Sequence, residues 1–121
     1  MRTARQRLGR TGERLAADEL TRRGLTVVDR NWRCQAGEID LIVRDGECLA
    51  IVEVRTRRGQ ECGTPEESIT SVKRERLIAL AQAYVAAVNW QGPWRIDVVA
   101  VEMDGTGRLL RVTHLPSAVE G

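Results

Sequence analysis

Apolar residues at Leu77, Leu80, Ala81, Tyr84, Val85 and Val88 keep the i, i+3, i+4 spacing of one buried helical face, which predicts a helix over about 71–88. A first helix is expected over about 11–23, with Thr11 as its N-cap and Gly24 as its stop. Between them the pattern changes to alternation. Residues 25–33 alternate weakly, and 36–44 and 47–55 alternate clearly on either side of Asp45-Gly46, a strong hairpin signal. Residues 56–69 carry Gly59, Gly63 and Pro65 and read as a loop. Two further strands, 94–102 and 109–115, flank the turn signal Asp104-Gly105. The order αβββαββ predicts an α/β domain in which helices flank a mixed sheet. With 121 residues and no internal repeat, the chain reads as a single domain, 1–121. A chain of that length buries roughly two-thirds of its unfolded surface, so it needs no disulfide or metal staple to fold.

Composition narrows the chemistry. A chain 42% apolar and 30% charged is globular, and no apolar run is long enough to span a membrane. The start, MRTARQRLGR, is basic with no apolar stretch behind it, so no secretory signal is read and a cytoplasmic location is expected. Cys34, Cys48 and Cys62 form no close pair, and His114 is the only histidine, near the C-terminal end. A four-ligand zinc site cannot be assembled from these, and a Ser-His-Asp or Cys-His mechanism would depend on one peripheral imidazole. Catalysis, if present, falls to carboxylates, arginines and an oxygen-liganded metal.

Net charge is only +2, yet 18 of the 19 basic residues are Arg, the better fork for phosphate. Arg2, Arg5, Arg7, Arg10 and Arg14 face the single acid Glu13 in the first 14 residues, and Arg55, Arg57 and Arg58 make a second knot. A nucleic-acid contact and a solvated basic surface produced by coding bias give the same pattern.

The hairpin permits a calculation. With Asp45-Gly46 as a two-residue turn, Arg44 pairs with Glu47, Ile42 with Leu49, Asp40 with Ile51, and Glu38 with Glu53. Glu38, Asp40 and Ile42 then share a face with Leu49, Ile51, Glu53 and Arg55. Three carboxylates crowd one end of that face, which is costly unless a cation arrives. Mg²⁺ or Mn²⁺ would answer the cost and supply a reaction centre, whereas a Glu38–Arg55 salt bridge at a solvated edge is the plain alternative. Glu13, Ala16 and Leu20 follow i, i+3, i+7, so Glu13 shares the stripe of its helix that faces the core. It either remains at the surface near the helix start or leans over the sheet toward Asp40.

Gly9-Arg10-x-Gly12-Glu13, Asn31-Trp32-Arg33, Gly37-Glu38-Ile39-Asp40-Leu41-Ile42 and Val52-Glu53-Val54-Arg55-Thr56-Arg57 stand in this order. Gly63-x-Pro65-Glu66, Ile69, Lys73-Arg74 and Arg95-Ile96-Asp97-Val98 follow. This series, running from about Gly9 to Val101, closely resembles the YraN-like family of small bacterial proteins. That family looks like a branch of the PD-(D/E)xK nuclease superfamily, related to archaeal Holliday-junction resolvases. The resemblance implies a restriction-endonuclease-like fold and a Mg- or Mn-dependent endonuclease acting on DNA, branched DNA included. It places Asp40 and Glu53 as metal-binding acids, with the Val54 carbonyl a further ligand, and matches Glu13 to the helix-borne acid of the resolvase-like branch. Glu38 would join Glu13 on a second ion or its waters.

Arg55 departs from the Lys usual at that motif position. An Arg can orient water or stabilise a charged phosphate, but it does not give up its proton to act as a base. Arg10, Arg57, Arg58, Lys73 and Arg74 would contact backbone phosphates. Two rivals stay open: a nucleic-acid-binding protein that kept the fold and lost cleavage, and a protein–protein adaptor anchored by Trp32, Trp90 and Trp94. Resolvase relatives often act as dimers, so a homodimer is an expectation from resemblance alone.

Overall fold

A computed structural model describes residues 3–59 and 69–119, except that the side chain of Arg5 is not described. The elements are α1 (Ala4–Arg22), β1 (Thr26–Cys34), β2 (Gly37–Asp45), β3 (Cys48–Arg58), α2 (Ser71–Ala87), β4 (Trp94–Met103) and β5 (Leu109–Val119). The sequence order αβββαββ is the observed one. The strands form one mixed sheet in the order β1-β2-β3-β4-β5, with β3 and β4 parallel and every other neighbour antiparallel. The predicted loop over 56–69 is shorter at its start, because β3 runs on to Arg58, and its centre, with Cys62, Gly63 and Pro65, lies outside the described residues.

The helices cover the two faces. Ala16, Ala17 and Leu20 of α1 pack with Leu41, Val43, Ala50 and Val52, whereas Leu77, Leu80, Ala81 and Tyr84 of α2 pack with Ile42, Leu49 and Ile51. Alternate residues of β3 thus enter opposite cores, as the period of two along a strand requires. Burying side chains such as Leu20 or Ile51 completely stabilises the fold by about 1.5–3 kcal/mol each.

Helix α1 begins earlier than the expected Thr11. Thr3 is its N-cap: Thr3 Oγ1 accepts from the Gln6 amide at 3.1 Å while Gln6 Oε1 accepts from the Thr3 amide at 2.8 Å. This reciprocal pair satisfies two end donors and outweighs the helix-weakening Gly9 and Gly12. Gly12 has a packing reason: a Cβ there would stand 2.0 Å from Thr56 Oγ1 of β3. The bare glycine lets α1 approach β3 one residue before Glu13. Gly12→Ala is therefore expected to lower thermal stability by about 1–3 kcal/mol, despite the better helix propensity of Ala. Thr56→Ala in the same chain should restore part of the loss, as read by paired melting curves. An unchanged melting temperature for Gly12→Ala would remove the close approach from the account.

The β2–β3 register differs from the expected one. Asp45 pairs with Cys48 and Ile42 with Ile51, so Gly46 and Glu47 are the turn residues, with Gly46 at a φ of 60°. Left-handed φ suits glycine, which fixes the turn one residue later than Asp45-Gly46. The resulting slip is even, Ile42 facing Ile51 in place of Leu49, so the faces of both strands are retained. Glu38 is not directly opposite Glu53. The β2–β3 ladder ends at Leu41–Val52, and continuing it by one rung brings Asp40 opposite Glu53. No helix among the described residues is long and apolar enough to cross a membrane.

Candidate functional site

The regular pattern fails where the acids gather. The β1–β2 pairing runs through Arg30–Leu41 and Trp32–Ile39 but omits Asn31 and Asp40 between them. Asn31 has a φ of 51°, a left-handed conformation that Asn tolerates better than most residues. Ile39 packs in the core beneath α2, yet Leu41, two residues on, packs beneath α1. The face alternation of β2 is therefore interrupted at Asp40, at the end of its pairing with β3. Acids from both sides of the sheet meet at this interruption.

One carboxylate oxygen each from Glu13 of α1 and Glu38 and Asp40 of β2 lies within 4.8 Å of the others, a spacing that a single cation can span. Asn31 ties two of them together: its Nδ2 donates to Glu13 Oε2 at 2.9 Å and to Glu38 Oε1 at 2.8 Å. Its Oδ1 accepts from Arg10 Nη1 at 2.7 Å. Arg33 Nε donates to Glu38 Oε2 at 3.2 Å. Asp40 Oδ2 accepts from the backbone amide of Val54 at 2.8 Å, and the Asp40 side chain shares a hydrogen bond with Glu53. Burial pushes the Asp40 carboxyl up to about 8, with the Glu53 charge and then that of Glu13 adding to the rise and the Val54 amide opposing it. In the metal-free protein at neutral pH, Asp40 thus holds a proton.

Glu38 and Glu53 also line a cavity of about 300 Å³ whose other polar residues are Arg55 of β3 and Lys73 and Arg76 of α2. The sequence-predicted residues fall into groups. Glu13, Glu38, Asp40 and Glu53 converge, with the Val54 backbone beside Asp40 and Arg55 in the cavity wall. Among the expected phosphate contacts, Lys73 faces this cavity and Arg10 is engaged with Asn31. Arg58 donates to the Gly105 carbonyl, Arg57 is half-buried, and Arg74 is exposed away from the cavity lining. Arg76 also lines the cavity, and with Lys73 and Arg74 it forms the basic cluster that the sequence places at the start of the second helix in a phosphate-facing role. Asn31 was not singled out from sequence as a site residue, and only the tolerance of Asn for left-handed backbone could have pointed to it.

His114 is not peripheral. Its Nε2 lies 2.7 Å from Oδ2 of Asp97, which is fully buried and also accepts from Arg95 Nε and the Ser117 amide, each at 2.9 Å. Burial alone would raise the Asp97 carboxyl, but the hydrogen bonds from His114, Arg95 and Ser117 outweigh it and hold the group below its usual range. The cluster sits where the β4–β5 register shifts between Ile96 and Val98 and Ser117 takes a φ of 52°, so it pins an irregular edge strand. The three tryptophans likewise serve the interior. Trp32, Trp90 and Trp94 pack against the core beneath α2, and Trp32 meets the Tyr84 ring edge-on at 5.2 Å.

Residues 12–101 match the model of the family described as "Uncharacterised protein family UPF0102". The chain belongs to this family. It is the YraN-like family that the motifs resemble, and the matched stretch carries Glu13, Glu38, Asp40, Glu53 and Arg55. A UPF0102 protein of Roseiflexus castenholzii is 51% identical over 118 residues, covering 96% of this chain and 95% of its own. UPF0102 proteins of Chloroflexus aurantiacus and Pelotomaculum thermopropionicum are 46% and 44% identical, each over 98% of this chain and at least 98% of their own.

Proposed function

We propose that this UPF0102 protein is a metal-dependent endonuclease acting on DNA, with branched DNA as its expected substrate. The observation that carries this reading is the meeting of Glu13, Glu38 and Asp40, with Glu53 against Asp40, where Glu38 and Glu53 also line a cavity whose other polar side chains are basic. Carboxylate oxygens without sulfur or imidazole suit Mg²⁺ or Mn²⁺, and oxygens already within 4.8 Å of one another fit such an ion. Asp40, Glu53 and the Val54 carbonyl would hold it, and Glu13 and Glu38 would hold a second ion or its water ligands. A bound ion there would lower the pKa of a water and offset charge developing on a phosphate. Arg55 orients the attacking water and meets the phosphate charge, while Arg10, Arg57, Arg58, Lys73 and Arg74 supply backbone contacts.

The second reading is a DNA-binding protein that has lost cleavage, favoured by Arg at the position where the motif carries Lys. Mn²⁺-dependent nicking of branched and linear DNA, set beside gel-shift binding in the same buffer, separates the two. The expected result is cleavage. Binding without nicking in either metal would favour the second reading.

Position 55 gives a sharper check. Arg55→Lys should increase metal-dependent cleavage, because a lysine can lose its proton, and Arg55→Ala should decrease it. Equal rates for all three proteins would take Arg55 out of the chemistry.

A further inference from the structure

The stripe that α2 turns toward the sheet changes character along its length. Leu77, Leu80, Ala81 and Tyr84 are buried; Lys73, at i−4 from Leu77, continues the same stripe toward the helix start, and Arg76 flanks it. Both side chains line the cavity shared with Glu38, Glu53 and Arg55. Cations at a helix N-terminus oppose the dipole, and the first turn of α2 holds no acid to offset them. Among the described residues, neither Lys73 nor Arg76 pairs with a carboxylate, and Glu38 pairs with Arg33. Lys73 and Arg76 thus face the acids across about 300 Å³ without closing into salt bridges with them. That is the lower end of ligand clefts, which run to roughly 300–1,000 Å³.

We infer that this cavity is the phosphate subsite of the protein, with Lys73 and Arg76 receiving a backbone phosphodiester of a polynucleotide whose neighbouring phosphate lies at the carboxylates. The inference rests on the proposed function for the second phosphate only; the anion at Lys73 and Arg76 follows from the basic wall. The geometry also couples two ligands. A phosphate entering beside Glu38 and Glu53 is repelled until a cation offsets them, so metal and polynucleotide strengthen each other's binding by the same factor.

The test is titration of a labelled DNA oligonucleotide into the full chain with and without Ca²⁺, chosen as a divalent ion of the same oxygen-ligand class. Lys73→Ala with Arg76→Ala should weaken binding in Ca²⁺ by at least about tenfold and reduce the salt slope by about one unit, the value for one neutralised phosphate. Arg108→Ala, which removes an exposed cation of the β4–β5 turn, should stay near wild type, and Lys73→Arg should retain binding, which distinguishes a lost anion contact from a misfolded helix. Wild-type affinity should rise on adding Ca²⁺. Binding by the double variant equal to wild type overturns the subsite. So does a wild type that binds millimolar inorganic phosphate but no oligonucleotide, which would assign the cavity to free phosphate. A wild type that takes up no Mn²⁺, yet loses oligonucleotide binding in the double variant, supports this subsite while sinking the metal reading.

Discussion

Replacing Asp40 with Asn should raise the stability of the metal-free protein at alkaline pH and leave it unchanged near pH 4. The Asp40 carboxyl is pushed from 3.8 to about 8 by burial first and by Glu53 next. Between those values the folded chain binds a proton that the unfolded chain has released, so wild-type stability falls as pH rises from about 4 to about 8 and then levels off. At 1.36 kcal/mol per pH unit the shift sets a ceiling of roughly 5–6 kcal/mol. Relaxation of the acids toward water leaves an expected loss of about 2–3 kcal/mol. The Asn amide carries no charge to titrate, so that loss disappears. At 0.7 kcal/mol of unfolding enthalpy per residue, a chain of this size should gain roughly 5–12 °C in melting temperature at pH 8.5. Scanning calorimetry of both proteins from pH 4 to 9 in chelator reads this directly. A variant that melts lower than wild type at pH 8.5 would make Asp40 a structural partner instead of a strained acid.

The second large effect is on cleavage. Asp40→Asn and Glu53→Gln should each reduce metal-dependent nicking by roughly 10²–10³-fold or more, the scale of losing preorganised charge at a reacting phosphate. Glu53→Gln removes a carboxylate beside the basic wall and Asp40→Asn replaces a carboxyl that is already protonated without metal, so oligonucleotide binding in chelator should be retained or improved. Single-turnover nicking measured alongside binding separates these effects. Retention of wild-type nicking by either variant would mean that the active carboxylates lie elsewhere.

How much of this was legible depended on the range over which each feature is determined. Element order follows from local periodicity: the i, i+3, i+4 run of Leu77 to Val88 gave α2 to within a residue at its end. The start of α1 was missed because Thr3 and Gln6 form the cap, and Gly12, which weakens a helix in isolation, is required by contact with Thr56. That contact is visible only in the fold. The hairpin register was displaced because the left-handed position is taken by Gly46 as the first turn residue, a choice that Asp-Gly leaves open. The error was even, so Ile42, Leu49 and Ile51 kept the inferred face, while the break at Asp40 lets acids from both sides meet. Asp40 near Glu53 was anticipated as a diagonal neighbour, and Glu13 over the sheet was one of two positions left open. Asn31 as their link was not, because it acts through a break in the β1–β2 ladder that no alternation pattern encodes. His114 looked peripheral because position in sequence says little about burial, and Asp97 draws it inward.

The central claim is that Asp40 and Glu53 form a cation site, and Mn²⁺ titration by calorimetry tests it most directly. Binding must displace the proton that Asp40 holds, so affinity should rise with pH, by about tenfold or more from pH 6 to pH 8. Asp40→Asn should bind at least about 100-fold more weakly and lose that pH dependence. Wild-type protein that takes up no Mn²⁺ at millimolar concentration, or an Asp40→Asn variant that binds it equally well at both pH values, would contradict the account.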